Sequence, residues 1–85
     1  MIVLWRPTTS PRRAGFAVGR QIRGAVHRNR VRRRLREAYR GARDAAPASV
    51  DVVVIGRAAA LEAPLGTLIE EMRGAFAVMT RGSGR

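Results

Sequence analysis

The 85-residue sequence predicts an α+β fold: a small two-layer sandwich ordered β-β-α-β-α, with a mixed sheet and an arginine-rich crossover helix. Three observations carry this. Val50-Asp51-Val52-Val53-Val54-Ile55-Gly56 is a β-branched run of strand type. Two longer stretches repeat apolar residues at helical spacing. Two short apolar runs stand ahead of them. A chain this short buries only about 60% of the surface its unfolded form exposes. One domain over 1–85 is therefore expected, with its core at about 2–80 and a frayed tail at 81–85.

Ile2 to Trp5 is β-branched and aromatic and predicts the first strand. Arg6 to Arg13 carries two prolines, two threonines and a serine and predicts a turn. Ala14 to Gly19 alternates small and large residues and predicts a second strand, with Phe16 and Val18 on one face and Ala17 on the other. Two such runs across one loop predict an antiparallel hairpin. A helical pattern follows Gly24. Val31, Leu35, Ala38, Tyr39 and Ala42 form its apolar stripe, and Arg32, Arg33, Arg36, Arg40 and Arg43 occupy the rest of the cylinder. Gly41 is a mild interior cost, and the helix should end before Pro47. In the third strand, the unbroken β-branched run Val52 to Ile55 predicts burial on both faces. Ala58 to Pro64 reads as a small-residue connection. Leu65 to Thr80 predicts a second helix with the stripe Leu65, Leu68, Ile69, Met72, Phe76 and Met79.

Seventeen basic residues face six acidic ones, for a net charge of +11, and every basic residue is arginine. Arginine's planar five-donor fork suits phosphate oxygens, base edges and stacking. Ten arginines lie between positions 20 and 43, with Glu37 as the single acid among them. Like charges three and four residues apart on a helix repel by a few tenths of a kcal/mol per pair. A polyphosphate would relieve that cost, so a nucleic acid is the expected partner. Asn29 either contacts a base or ribose or helps cap the first turn. His27 has no second ligand in view and reads as an exposed contact residue. Trp5, Phe16 and Val18 form either a stacking platform or part of the core.

Nothing in the sequence resembles a catalytic or metal-binding constellation. Asp51 and Glu62 stand isolated, the serines have no paired histidine, and there is no cysteine. The apolar start Met1 to Trp5 falls short of the roughly 7–15 apolar residues of a secretory signal. No run approaches the roughly 20 residues that span a bilayer. A cytoplasmic location is expected.

The segment Gly24-Ala25-Val26-His27-Arg28-Asn29-Arg30-Val31-Arg32-Arg33-Arg34-Leu35-Arg36-Glu37-Ala38-Tyr39-Arg40 closely resembles the signature of the bacterial ribonuclease P protein subunit. Asp51 to Arg57 is similar to that family's central strand and the arginine ending it, and Ala14 to Arg20 to the strand leading into the signature. The last helix matches in place and length. The resemblance implies a protein that assists removal of the 5′ leader from precursor tRNA. The chemistry would be carried by a catalytic RNA with its Mg2+, and the protein would bind no cofactor of its own. It implies two partners, that catalytic RNA and the precursor tRNA, with no DNA and no membrane. RNA-binding residues would be Arg20, Arg23, His27, Arg28, Asn29, Arg30, Arg32, Arg33, Arg34, Arg36 and Arg40. A leader-binding sheet face would use Trp5, Phe16, Val18 and Arg57.

The sequence departs from the family in two places. Family chains start with a helix and a basic, aromatic segment before the first strand, and this sequence begins at that strand. An N-terminally short form is expected, either truncated, started upstream in the cell, or completed by a partner. Gly19-Arg20-Gln21 stands where serine-lysine-lysine is usual, with one basic residue fewer. The resemblance also implies a left-handed strand–helix–strand crossover, where the general rule gives a right-handed one. Two other readings of the basic helix are a structural RNA-binding protein of the ribosome and a membrane-active cationic helix.

Overall fold

The computed structural model describes residues 1–83, with side chains to residue 80. Strand β1 (Ile2–Pro7) and strand β2 (Arg13–Val18) precede helix α1 (Ala25–Ala42), and a 3-10 turn (Arg43–Ala45) follows it. Strand β3 (Val50–Gly56), a second 3-10 turn (Ala58–Leu61) and helix α2 (Leu65–Ser83) complete the chain. Helix α2 runs through Ser83, beyond the expected core limit at 80. Of the tail expected to fray, residues 84 and 85 lie outside the described residues.

The sheet order is β1-β3-β2. β1 pairs antiparallel with β3, from Ile2 opposite Ile55 to Pro7 opposite Val50. β2 pairs parallel with β3, from Arg13 opposite Asp51 to Val18 opposite Gly56. The hairpin expected between β1 and β2 is therefore not formed: β3 lies between them. The link Thr8–Arg12 has only to cross about 10 Å, two strand spacings, which five extended residues span with ease. Backbone bonds from Thr8 N–H to Ser49 O (3.3 Å) and Arg12 N–H to Ala48 O (2.9 Å) fasten this link to the segment entering β3.

Both helices cover one face of the sheet. Val50, Val52, Val54 and Gly56 of β3 point into the core, while Asp51, Val53 and Ile55 point away, with Val53 43% exposed. The expected burial of β3 on both faces is thus corrected. This strand is paired on both edges but covered on one face.

Val31, Leu35, Ala38 and Ala42 of α1 meet Leu68, Met72, Phe76 and Met79 of α2 over the sheet. Tyr39 joins the layers, edge-on to Phe16 (centroids 5.7 Å apart) and to Phe76 (6.1 Å). Such pairs add about 0.5–1.5 kcal/mol beyond area burial. Two glycines permit the closest approaches. A Cβ on Gly56 would overlap Val31 Cγ1 and lie 3.0 Å from Leu35 Cδ1, so α1 sits directly on the end of β3. A Cβ on Gly41 would lie 2.8 Å from Ile69 Cδ1, so the glycine inside α1 marks its contact with α2.

Candidate RNA interface

At about 3.6 residues per turn, Asn29, Arg33, Arg36 and Arg40 fall opposite the buried stripe of α1, with Arg30 and Arg32 on its shoulders. All are exposed except the half-buried Arg32. Among the described residues, the side chains of Arg30, Arg32, Arg33, Arg36 and Arg40 make no intramolecular hydrogen bond or ion pair. Five uncompensated guanidinium groups thus share one side of one helix. Its first turn holds no acidic residue, and its N-cap is Gly24 with no side-chain cap. Asn29 therefore does not cap the helix. Val26, 80% exposed, extends the same surface at the N-terminal end, and His27 is exposed on the flank of the stripe, one turn before Val31.

Two signature arginines behave differently. Arg28 turns back beneath the β2–α1 loop and donates to Gly19 O (3.3 Å), Ile22 O (3.1 Å) and Val18 O (3.4 Å). Arg34, on the other flank of the buried stripe, donates to Ala60 O (2.7 Å) and to Ala63 O, tying α1 to the segment ahead of α2. Arg34, one of the RNA-binding residues the resemblance implies, is half-buried with its guanidinium engaged by backbone carbonyls. Arg20 and Arg23 are exposed on the loop that Arg28 grips.

Trp5, Phe16 and Val18 do not form one open surface on the sheet. Register places Trp5, Phe16 and Val18 on the same face as Val52, Val54 and Gly56, the face that the helices cover. Val18 is 8% exposed and belongs to the core, one of the two roles the sequence left open for it. Phe16 is half-buried against Tyr39. Trp5 keeps 39% exposure at the edge strand. Arg57 is exposed just past β3 and lines a shallow depression with Gln21, Ala58 and Ala59, which brings it beside the loop carrying Arg20.

The opposite sheet face carries a cluster that pattern reading missed. Asp51 accepts from Arg13 through Nε (3.1 Å) and Nη2 (3.2 Å), and from Arg6 Nε (3.3 Å). Arg13's hydrogen bond holds the Asp51 carboxyl below its ordinary pKa; desolvation opposes that shift and Arg6 adds to it. Two further arginines tie down the far end of α1. Arg12 donates to Arg43 O (2.8 Å) and Ala46 O (3.3 Å), and Arg73 donates to Gly41 O and Asp44 Oδ1, both at 2.9 Å. These partners lie roughly 30 or more residues away, beyond the reach of any local sequence signal. Among the described residues, no helix is long and apolar enough to cross a membrane.

Residues 1–80 match the family model described as Ribonuclease P. The chain is 50% identical over 62 residues to the ribonuclease P protein component of Brucella suis, covering 71% of this chain and 43% of that one. It is 42% identical over 74 residues to the ribonuclease P protein component of Symbiobacterium thermophilum, covering 87% of this chain and 64% of that one. Its fold resembles the solved RNase P protein from Thermotoga maritima with a TM-score of 0.74 at 28% identity, covering 87% of this chain and 72% of that one. The chain spans less than half the length of the Brucella relative.

Proposed function

From the premise that this chain belongs to the bacterial ribonuclease P protein family, we propose that it docks on the catalytic RNA of that ribonucleoprotein and assists 5′-leader removal from precursor tRNA. The observation that carries this reading is the outer face of α1, where Arg30, Arg32, Arg33, Arg36 and Arg40 converge without an internal partner. Each guanidinium offers a planar donor pair to a phosphate, and docking relieves their mutual repulsion. The backbone of α1 is held near both ends, so the positions from which these side chains extend keep a helical spacing. In this reading the protein supplies position and charge, and Mg2+ and the bond-breaking chemistry belong to the RNA, in the bacterial cytoplasm. Precursor tRNA is the second partner, with Arg20, Arg57 and the exposed edge of Trp5 available to its leader.

Reconstitution tests this. The chain is added to a transcript of the catalytic RNA at low Mg2+, and cleavage of precursor tRNA is followed. A clear gain in cleavage is expected, and no gain from either this chain or an N-terminally extended one overturns the reading. If about six arginines neutralise phosphates, log affinity for the RNA falls against log salt with a slope of roughly −5. A slope near zero contradicts the assigned surface. Residence on ribosomal subunits in place of that transcript would point to a structural protein of the ribosome.

A further inference from the structure

We propose that Arg28, the first arginine of Arg28-Asn29-Arg30, is a positioning residue that presents Arg20 and Arg23 to RNA by ordering the β2–α1 loop, and does not itself neutralise a phosphate. This inference rests on the RNA-docking reading above.

Its side chain is half-buried, unlike Arg30, Arg33, Arg36 and Arg40. Nη1 reaches Gly19 O (3.3 Å) and Ile22 O (3.1 Å), and Nη2 lies 3.4 Å from Val18 O. These three carbonyls bracket the loop from the last residue of β2 to its buried anchor Ile22. Beyond the strand ladder, that span makes two backbone bonds, Ile22 N–H to Gly19 O (3.2 Å) and Gly19 N–H to Gly56 O (2.9 Å). The loop closes on Gly24 at φ +87°, a conformation open to glycine.

One planar group satisfying three carbonyls is a geometry that arginine can supply. Lysine, with a single nitrogen on a flexible stem, cannot reproduce it. Such charge-assisted bonds are among the stronger ones in proteins. At most three of the five N–H donors of Arg28 are thus directed inward, and they hold its half-buried guanidinium against the loop. The two arginines that remain free there, Arg20 and Arg23, are exposed on the segment it holds.

The test uses the full chain, amide hydrogen exchange without RNA, and affinity for a transcript of the ribonuclease P catalytic RNA. Exchange at the Ile22 amide, the loop N–H bonded to Gly19 O, is expected to quicken at least tenfold in both Arg28→Ala and Arg28→Lys, while amides of β3 and α2 keep their wild-type rates. Unchanged loop exchange overturns the proposal. In RNA binding, Arg28→Ala is expected to weaken affinity alone but to add less than twofold in an Arg20→Ala/Arg23→Ala background, with no change in salt slope. Combined with Arg36→Ala, its effect is expected to multiply in full. If Arg28→Ala still weakens binding in the loop-mutant background and lowers the slope by about 0.7–0.9, Arg28 contacts a phosphate and the proposal is wrong. Full binding by Arg28→Lys, with the loop still ordered by exchange, has the same meaning. If the wild-type chain fails to bind this RNA, the docking reading falls first and this inference falls with it, whatever the exchange data show. Thermal unfolding of each variant separates these outcomes from loss of the fold.

Discussion

The two sides of α1 use the same residue type for opposite work. On the inner flanks, Arg28 and Arg34 give their donors to backbone carbonyls of neighbouring segments. On the outer side, Arg30, Arg32, Arg33, Arg36 and Arg40 have no internal acceptor. Arginine content alone therefore does not measure RNA-binding capacity, since part of it replaces the capping and loop-tethering that a larger domain would build from its core. What divides the two groups is angular distance from the buried stripe. An arginine next to the stripe lies within reach of adjacent loops, and one opposite it does not.

Removing the stripe itself should break the comparison most severely. Leu35 is fully buried and touches the point where α1 meets Gly56. Leu35→Ala should cost about 2–5 kcal/mol of stability. The check is chemical denaturation, with RNA affinity measured under conditions where the variant is still folded. There the affinity should stay near wild type, because the outer arginines do not depend on the lost methyl groups.

The reverse experiment removes only the outer face. Arg33→Ala/Arg36→Ala/Arg40→Ala should leave stability unchanged or raise it by up to about 1 kcal/mol, since alanine favours helix and the like-charge pairs vanish. Its salt slope for RNA binding should be shallower by about 2–3. A strongly destabilised variant with an unchanged slope would show that these arginines belong to the inner group.

Much of this division was legible in the sequence, and the parts that were not share a cause. The stripe Val31, Leu35, Ala38 and Ala42 followed from helical period alone, because burial on a helix is a one-dimensional pattern. The roles of Arg28 and Arg34 did not follow, because the carbonyls that capture them come from segments whose positions only the tertiary fold decides. Strand order failed for a related reason. The expected hairpin rested on nearness in sequence, whereas β3 is the strand whose β-branched run supports pairing on both edges. The same run was read as two-sided burial, yet Val53 is 43% exposed and Asp51 answers two arginines on the uncovered face. β-Branched residues stabilise a central strand whichever way they point. Family resemblance implied that this helix faces RNA but could not say which of its arginines the fold itself engages.

Arg34→Ala tests one inner arginine separately. It frees the carbonyls of Ala60 and Ala63 and loosens the link into α2, at an expected cost of about 1–3 kcal/mol. RNA affinity at a temperature where the variant is folded should be nearly unaffected, and the salt slope unchanged. A loss of affinity with no loss of stability would move Arg34 to the outer group.

The smallest effect concerns arginines that are neither inner nor outer on α1. Arg6 and Arg13 are the two whose charge is answered by an acid on the sheet, through Asp51. The carboxyl is held below its ordinary value chiefly by the hydrogen bond from Arg13, with desolvation opposing and Arg6 assisting. A depressed folded-state pKa means that the pairing stabilises the fold at every pH above the unfolded value, about 3.9 for aspartate. As pH falls below that value and then through the lower folded value, the carboxyl protonates and the contribution disappears. The pair is exposed on the arginine side, so its effect is modest and is weakened by salt. Asp51→Asn should remove this component of acid sensitivity. Below about pH 4 the wild-type melting temperature should approach that of the variant, while near pH 7 it should stand slightly above it. Other acids and the rising net charge act on both proteins alike, so the difference between them isolates this one carboxylate. Parallel melting curves across the whole range would mean that Asp51 gives its arginines position without stability.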